Sequence, residues 1–189
     1  MLVQGIGGIG AFLTYVLAQS GADVIALDRD RDRLAIATEL GARKTVLATE
    51  SGAGMAISSA VGDRDLRVVF EVTGSRSGIE SALHVAPRGC RIVLVGIQKQ
   101  PVPVDLGLVT LEERMLIGAN ALVREIDFPR AVELVARRRG GWATIAPIVL
   151  PLDDLVEGAL LPMSEGRGGA IKTLIDPRAT EPRPLRALS

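Results

Sequence analysis

The sequence predicts a doubly wound α/β fold, in which a parallel sheet of six strands is covered by helices and followed by a short C-terminal α/β appendage. Two observations predict this fold. Short runs of Val, Ile and Leu alternate with helix-length amphipathic stretches as far as Ala119, and those runs are continuously apolar. Continuously apolar strands are buried on both faces, as in a parallel sheet between two helical layers. The alternation favours the strand order 3-2-1-4-5-6.

The strands and helices of this sheet are assigned in chain order. The predicted strands span residues 2–4, 23–28, 44–48, 66–73, 90–96 and 114–119. The predicted helices between them span residues 9–19, 30–40, 54–61, 77–85 and 106–113. Gly21 and Gly41 follow the first two helices, where a glycine commonly ends a helix.

The pattern changes after Asn120, where the regular alternation of strand and helix ends. Further helices are predicted at 127–138 and 153–161, and further strands at 148–150 and 171–175. We therefore expect a main α/β domain over 1–138 and a C-terminal segment over 139–177. Residues 178–189 are polar and rich in proline, which predicts a disordered tail.

Composition and charge exclude several classes of function. The 22 basic residues balance 22 acidic ones, which argues against binding to nucleic acid or to an anionic membrane. No apolar run is long enough to span a membrane, and no signal peptide is recognisable, so we expect a cytoplasmic protein. One cysteine and one histidine exclude a disulfide framework and leave too few ligands for a zinc site.

The most informative motif is the glycine turn between the first strand and the first helix. Gly5, Gly7 and Gly10 form the pattern G-x-G-x-x-G of dinucleotide-binding Rossmann folds. The first glycine permits the tight turn, the second lets the backbone approach a pyrophosphate, and the third lets helix and strand pack closely. The N–H groups of Gly8 and Ile9 would face the phosphates at the positive end of the helix dipole.

An acid completes this motif. Asp28 ends the second strand, eighteen residues after Gly10 (28 − 10), where it would accept hydrogen bonds from the adenosine ribose. A 2′-phosphate would meet a like charge there, so NAD is favoured over NADP, although the neighbouring Arg29 softens the preference. The alternative is a dinucleotide fold whose turn binds another nucleotide or nothing.

Longer stretches extend the pattern beyond the glycines. They are GIGGIG, ALDRDRDRLAIATELGA, VVFEVTG, RIVLVGI, LIGAN, DFPRAVEL and GAIKTLIDP. On these stretches, from Val3 to about Pro177, the chain resembles the coenzyme-binding part of medium-chain dehydrogenases, the group of zinc alcohol, sorbitol and butanediol dehydrogenases. The resemblance makes residues 1–138 a Rossmann domain and residues 139–177 a segment that returns toward a separate catalytic domain.

The resemblance implies a cofactor role for residues outside the glycine turn. Arg33 takes the place of a basic residue on the adenosine ribose, and Lys172 that of a basic residue reaching the pyrophosphate. Further positions implied are Val72 and Thr73 toward the adenine, Val95, Gly96 and Ile97 beside the nicotinamide, and Ala119 to Ala121 near its carboxamide. The family also pairs its sixth strands across a two-fold axis, so the strand from Arg114 to Ala119 is a possible homodimer edge.

The resemblance also implies what the chain lacks. The family's catalytic domain precedes the region matched here and carries the zinc ligands, the proton relay and most of the substrate pocket. We therefore expect no catalytic or metal-binding residues in this chain. The expected function is the NAD-binding portion of an enzyme that transfers a hydride between a secondary alcohol and NAD, and that portion is not catalytically complete alone. A free-standing NAD-binding module or split-gene partner is one alternative. A zinc-free quinone or enoyl reductase relative is another, against which Asp28 argues.

Other potentially reactive side chains are assigned structural roles. Tyr15 has no lysine four residues later, which excludes the Tyr-x-x-x-Lys pair of short-chain dehydrogenases. We expect Tyr15 to pack in the first helix, Cys90 to be a small buried residue, and Trp142 to anchor a loop. His84 is expected to be a partly buried helix residue, since no partner acid or nucleophile is positioned by the sequence.

Overall fold

Six parallel strands form the sheet of the first part of the chain. The computed structural model describes residues 1–49, 53–120, 122–166 and 169–185. The chain divides into two compact units, Met1–Ala121 and Leu122–Ser189. The strands are β1 (Leu2–Gln4), β2 (Ile25–Asp28), β3 (Lys44–Leu47), β4 (Val68–Glu71), β5 (Arg91–Leu94) and β6 (Met115–Gly118). Their order is β3-β2-β1-β4-β5-β6, which confirms the predicted doubly wound fold.

Helices follow the strands of this unit in alternation. They are α1 (Gly8–Gln19), α2 (Arg31–Glu39), α3 (Gly54–Val61), α4 (Arg76–Val85) and α5 (Leu106–Leu111). Asp30 caps α2 by accepting the N–H groups of Asp32 and Arg33, and Ser75 caps α4 by accepting that of Gly78. Such side chains satisfy backbone donors that have no partner within the helix. The caps explain why both helices begin close to their predicted starts.

The core of this unit lies between the sheet and its helices. Leu2, Val69 and Ile92 supply it from the central strands, and Ile57 and Ile79 cover them from α3 and α4. Each such side chain contributes about 1.5–3 kcal/mol relative to an exposed position. The central strands therefore hold the loops at their C-terminal ends on a rigid base.

Strand β6 is the open edge of the sheet. It pairs only with β5 among the strands described, and Met115, Leu116 and Ile117 are exposed on it. An exposed apolar edge offers unpaired backbone groups to another strand. The predicted pairing of the strand from Arg114 to Ala119 with a second copy remains a prediction.

The second unit is a helix followed by a small sheet. It contains α6 (Arg124–Arg137), β7 (Ile148–Leu150), a 3₁₀ turn at Leu152–Asp154, a π-helical segment at Leu155–Leu160, α7 (Leu161–Ser164), β8 (Leu174–Ile175) and β9 (Arg183–Pro184). Strand β7 is central, parallel to β8 and antiparallel to β9. No helix in the described ranges is both long and apolar enough to cross a membrane.

This unit differs from the sequence prediction in three ways. The helix predicted at 153–161 is instead made of a 3₁₀ turn, a π-helical segment and the first residue of α7. Pro162 has no N–H to donate to the carbonyl oxygen of Gly158, so a regular α-helix cannot continue there. The strand predicted at 171–175 shortens to β8, because the N–H of Lys172 bonds to Ile145. The compact units divide after residue 121, so α6 is grouped with the second unit, and the domain boundary predicted after 138 stays a prediction.

The predicted disordered tail is the third difference. Within 178–185, β9 pairs with β7, and the carboxylate of Asp176 accepts the backbone N–H of Arg178 and the guanidinium of Arg183. Charged and backbone hydrogen bonds thus fold this polar segment onto the small sheet. The remainder of the predicted tail, 186–189, lies outside the described residues.

Candidate cofactor site

The glycine turn connects β1 to α1 at the C-terminal edge of the parallel sheet. Gly5 has φ +92°, and a Cβ there would lie 2.8 Å from Cγ2 of Thr73. A Cβ on Gly10 would lie 1.8 Å from the carbonyl oxygen of Gly5. Side chains are excluded at both positions, the first by backbone conformation and crowding and the second by the close approach of α1 to the turn.

The middle of the turn is open. Among the described residues, no heavy atom lies within 4 Å of a Cβ placed on Gly7. Gly7 is also the cap residue of α1, and no described side chain bonds to the free N–H groups of this helix end. A helix N-terminus with exposed donors favours an anion. The residues present therefore fit a pyrophosphate, since the position that a Cβ would fill is clear and the donors lie beside it.

Asp28 lies against this turn. Its Oδ2 accepts the backbone N–H of Ile6 at 2.6 Å, and its Oδ1 accepts that of Asp30 at 3.0 Å. Each carboxylate oxygen has two lone pairs, so both retain a place for a further donor such as a ribose hydroxyl. The structure brings the acid and the glycines together as the motif predicts, and adds a direct bond between them that the sequence did not reveal.

The two arginines next to this acid are differently placed. Arg29 is exposed. The Nε of Arg33 lies 3.7 Å from Oδ2 of Asp30, so its guanidinium rests on the residue that caps its own helix. The pair is exposed and contributes at most about 1 kcal/mol. Arg33 is therefore free to change partner at little cost, and its predicted contact with the adenosine ribose stays a prediction.

The loops after β4 and β5 meet backbone to backbone beside the turn. Val72 continues β4 by donating its N–H to Gln4 at 2.9 Å. A Cβ on Gly96 would lie 2.1 Å from the nitrogen of Gly74, and a Cβ on Gly74 would lie 2.7 Å from the oxygen of Ile97. The structure thus brings together the predicted positions Val72, Thr73, Gly96 and Ile97, with Val95 between the last strand residue and Gly96. The side chain of Ile97 is 78% exposed.

A buried acid lies under both loops, and the sequence reasoning assigned it no role. Glu71, the last residue of β4, is 0% exposed. Its Oε1 accepts the N–H of Thr73 at 2.8 Å and the hydroxyl of Thr73, and its Oε2 accepts the N–H of Gly74 at 3.3 Å. A lone carboxylate inside the apolar run VVFEVT is the signal that could have drawn attention to it.

Gln98 reaches this acid from the loop after β5. Its Nε2 lies 3.4 Å from Oε2 of Glu71 and 2.8 Å from the carbonyl oxygen of Gly96. The backbone oxygen of Glu71 also accepts the N–H groups of Val95 and Gly96, both at 2.9 Å. One residue of β4 therefore carries hydrogen bonds to the loops that follow two neighbouring strands.

The remaining predicted cofactor positions lie farther along the chain. Ala119 follows β6, is exposed, and donates its N–H to Leu94 at 3.0 Å. Ala121 lies outside the described residues. Lys172 belongs to the second unit and is exposed there. The roles of Ala119 and Lys172 toward a cofactor stay predictions.

Four side chains with predicted structural roles, Tyr15, Cys90, Trp142 and His84, lie outside the glycine turn. Tyr15 is buried in α1, Cys90 is buried at the start of β5, and the indole N–H of Trp142 donates to Val135 at 2.9 Å. Burial raises the pKa of the Cys90 thiol, with the positive charge of Arg114 opposing this. The expectation of a partly buried His84 is wrong. The ring is exposed and bonds to the carbonyl oxygen of Glu80, because α4 buries Ile79, Ala82 and Leu83 on its other face.

Comparison with known proteins decides the family. The sequence model of zinc-binding dehydrogenases matches residues 8–137. The chain belongs to the zinc-binding dehydrogenase family. It is 29% identical over 180 residues to 2-dehydro-3-deoxy-L-galactonate 5-dehydrogenase of Pseudoalteromonas atlantica, covering 95% of this chain and 52% of the relative. The match confirms the resemblance to the coenzyme-binding part of these dehydrogenases.

Solved structures agree with this assignment in fold. 2R,3R-butanediol dehydrogenase from Bacillus subtilis aligns with a TM-score of 0.81 at 24% identity, over 94% of this chain and 50% of that one. A dehydrogenase from Escherichia coli CFT073, solved in complex with NADH, aligns with a TM-score of 0.75 at 20% identity over 92% and 50%. The chain thus spans about half the length of the relatives it matches.

A zinc ion in a protein is held by side chains of Cys, His, Asp or Glu. In the part of the chain that the structure describes, no group of three or more His, Cys, Asp or Glu side chains is placed to hold a metal ion. A catalytic zinc takes three protein ligands and an open position. The described residues therefore do not fit a zinc ion, whereas they fit a dinucleotide at the glycine turn.

Proposed function

We propose that this chain binds NAD as the coenzyme-binding portion of a zinc-binding dehydrogenase that acts on a secondary alcohol or polyol. The observation that carries the proposal is the bond from Ile6 N–H to Asp28 beside an open helix N-terminus. It supports placing a pyrophosphate and a ribose diol side by side, as a dinucleotide requires. The NADH complex of the Escherichia coli relative agrees with this choice of ligand.

The glycine turn and Asp28 divide the recognition of the cofactor between them. Gly7, Gly8 and Ile9 offer backbone donors to the pyrophosphate at the start of α1. Asp28 accepts from the adenosine ribose, and Arg33 lies in the first turn of the next helix to assist. The negative charge of Asp28 disfavours a 2′-phosphate, which is why we propose NAD and not NADP. Arg29 is exposed beside it and reduces this discrimination.

The loops after β4, β5 and β6 would hold the rest of the cofactor. Val72 and Thr73 are proposed toward the adenine, Val95, Gly96 and Ile97 beside the nicotinamide, and Ala119 at its carboxamide. The bound nicotinamide supplies hydride transfer, and the protein contributes its position. The exposed side chain of Ile97 would be covered by the ring and help to exclude water there.

Chemistry on the alcohol is proposed to depend on residues outside this chain. The relatives are about twice as long, and the described residues do not fit a zinc ion. We therefore propose that the chain alone gives little or no turnover. Contact of Lys172 with the pyrophosphate, pairing of two copies through the strand from Arg114 to Ala119, and the cytoplasmic location stay proposals from the sequence. A free-standing NAD-binding module is the second candidate, since the alignments leave half of each relative unmatched.

Calorimetric titration of the purified chain with NAD and with NADP tests the proposal. We expect NAD to bind at least about tenfold more tightly than NADP, and Asp28→Ala to lose NAD binding. Asp63→Ala is the matched control, because it removes an exposed carboxylate from the turn after α3 and leaves the glycine turn intact. A folded sample that binds neither nucleotide contradicts the proposal. Equal loss in the two variants contradicts the role of Asp28.

A further inference from the structure

The contact between Glu71 and Gln98 joins two loops that have no other side-chain link among the described hydrogen bonds. Glu71 ends β4 and Gln98 follows β5, 27 residues later, and Nε2 of Gln98 lies 3.4 Å from Oε2 of Glu71. The same nitrogen donates to the carbonyl oxygen of Gly96 at 2.8 Å. Gln98 therefore connects its own loop to the buried acid of the neighbouring strand.

The two residues hold different parts of the site. Glu71 accepts both N–H groups and the hydroxyl of its own loop, at Thr73 and Gly74, as well as the amide of Gln98. Removing the side chain of Gln98 takes away its bonds to Glu71 and to the carbonyl oxygen of Gly96, and leaves the bonds at Thr73 and Gly74 in place. Removing the charge of Glu71 weakens the bonds in both loops, because hydrogen bonds to a buried carboxylate are stronger than neutral ones.

The loop after β5 has few other constraints near its tip. Its backbone packs against Gly74 so closely that a Cβ on Gly96 would lie 2.1 Å from the nitrogen of Gly74, yet Ile97 is 78% exposed. A loop that is crowded at its base and exposed at its tip depends on side-chain contacts for its final position. Gln98, next to Ile97, supplies such a contact.

We propose that Gln98, held by the buried Glu71, is a positioning residue that fixes the loop after β5 where it seats the nicotinamide ring. The inference rests on the proposed function, because it needs NAD at the glycine turn. It assigns Gln98 to the nicotinamide end of the cofactor alone. Glu71 serves both ends, because it also holds Thr73 and Gly74.

The test compares NAD with ADP-ribose, which has the same adenosine, ribose and phosphate groups and lacks the nicotinamide ring. Both ligands are titrated into the full chain and into Gln98→Ala. The affinity for NAD should fall about threefold to tenfold, the equivalent of one net hydrogen bond, with ADP-ribose affinity changed by less than about twofold. Gln100→Ala is the matched control. It removes an exposed amide side chain from the same loop, two residues after Gln98, and should change neither affinity.

Two further measurements test the inference, the titration of Glu71→Gln and amide hydrogen exchange. Glu71→Gln should weaken both ligands, and NAD more than ADP-ribose. Amide hydrogen exchange without ligand should accelerate at Gly96 in Gln98→Ala and stay unchanged at Gly74. Equal weakening of both ligands by Gln98→Ala, unchanged NAD affinity, or unchanged exchange at Gly96 overturns the inference.

Failure of the proposed function gives a different result. The wild-type chain would then bind neither ADP-ribose nor NAD, and the inference falls with it. If the wild-type chain binds both ligands equally well, the glycine turn functions and the nicotinamide is not held. That outcome overturns the role of Gln98 and leaves dinucleotide binding intact.

Discussion

Oδ2 of Asp28 accepts the backbone N–H of Ile6 at 2.6 Å, which joins the end of β2 to the glycine turn after β1. The acid thus has two tasks, since it orders the turn and remains able to accept from a ribose. The second oxygen holds Asp30, the residue that caps α2. A substitution at Asp28 therefore affects the shape of the site as well as its charge.

Asp28→Asn separates these two tasks. The amide oxygen can still accept the N–H of Ile6, so the turn should keep its shape, whereas the negative charge and the bond from the N–H of Asp30 are lost. We expect the preference for NAD over NADP to fall by about tenfold or more, since like-charge repulsion of the 2′-phosphate disappears. Parallel titration with both nucleotides measures it. A preference equal to that of the wild type would show that Asp28 does not discriminate between them.

Alanine at Gly10 should mainly lower the stability of the chain, whereas alanine at Gly7 should mainly weaken NAD binding. Gly10→Ala places a methyl group 1.8 Å from the oxygen of Gly5, so α1 must shift. We expect a loss of about 3 kcal/mol or more in the free energy of unfolding. Gly7→Ala meets no described atom within 4 Å and should cost less than about 1 kcal/mol, yet it should abolish NAD binding by filling the space for the pyrophosphate. Urea unfolding and NAD titration of both variants decide this. Full NAD binding by Gly7→Ala would contradict the placement of the pyrophosphate.

These two predictions depend on features that the sequence made visible. The glycine spacing and the acid after the second strand are local patterns, and β1 and β2 are neighbours, so their C-terminal ends meet. The strand order was also predictable, because apolar strands alternate with helices along the chain. The bond between Gln98 and Glu71 was not, because it joins a strand end to a loop residue 27 positions later, and no sequence period relates the two side chains. The exposed His84 was misjudged because the face that α4 buries depends on packing.

The single cysteine should be unreactive in the folded chain. Cys90 is buried and its pKa is raised by that burial, so the thiolate that attacks thiol reagents is scarce near neutral pH. We expect a disulfide reagent to label it at least about a hundredfold more slowly in buffer than in concentrated urea. Stopped-flow absorbance follows the reaction. Rapid labelling of the native chain would mean that the start of β5 is open to solvent.

Asp176 should make the attachment of β9 sensitive to acid. The backbone N–H of Arg178, and then the guanidinium of Arg183, lower the pKa of this carboxyl below its usual value. Because the pKa is depressed in the folded state, the stabilisation is present above the ordinary aspartate range. It is lost as the pH falls through the lowered value.

A pH titration followed by NMR gives the pKa of Asp176 directly. Arg183→Ala should raise it toward the ordinary value and accelerate amide exchange at Leu185, whose N–H bonds to Pro147 at 3.0 Å. Arg178→Ala serves as the comparison, since its backbone N–H remains in place. Its effect on the pKa should be the smaller one. An unchanged pKa in Arg183→Ala would contradict the link between β8 and β9.

The glycine turn and Asp28 are proposed to bind NAD together. The most direct test is an NMR titration of the isotope-labelled chain with NAD, following the backbone amides. We expect saturable shifts at Gly7, Gly8 and Ile9, and at Asp28, with smaller changes at Gly21 and Gly41, the turns that follow α1 and α2. Unchanged amides at Gly7, Gly8 and Ile9 in a folded sample, at millimolar NAD, would contradict it.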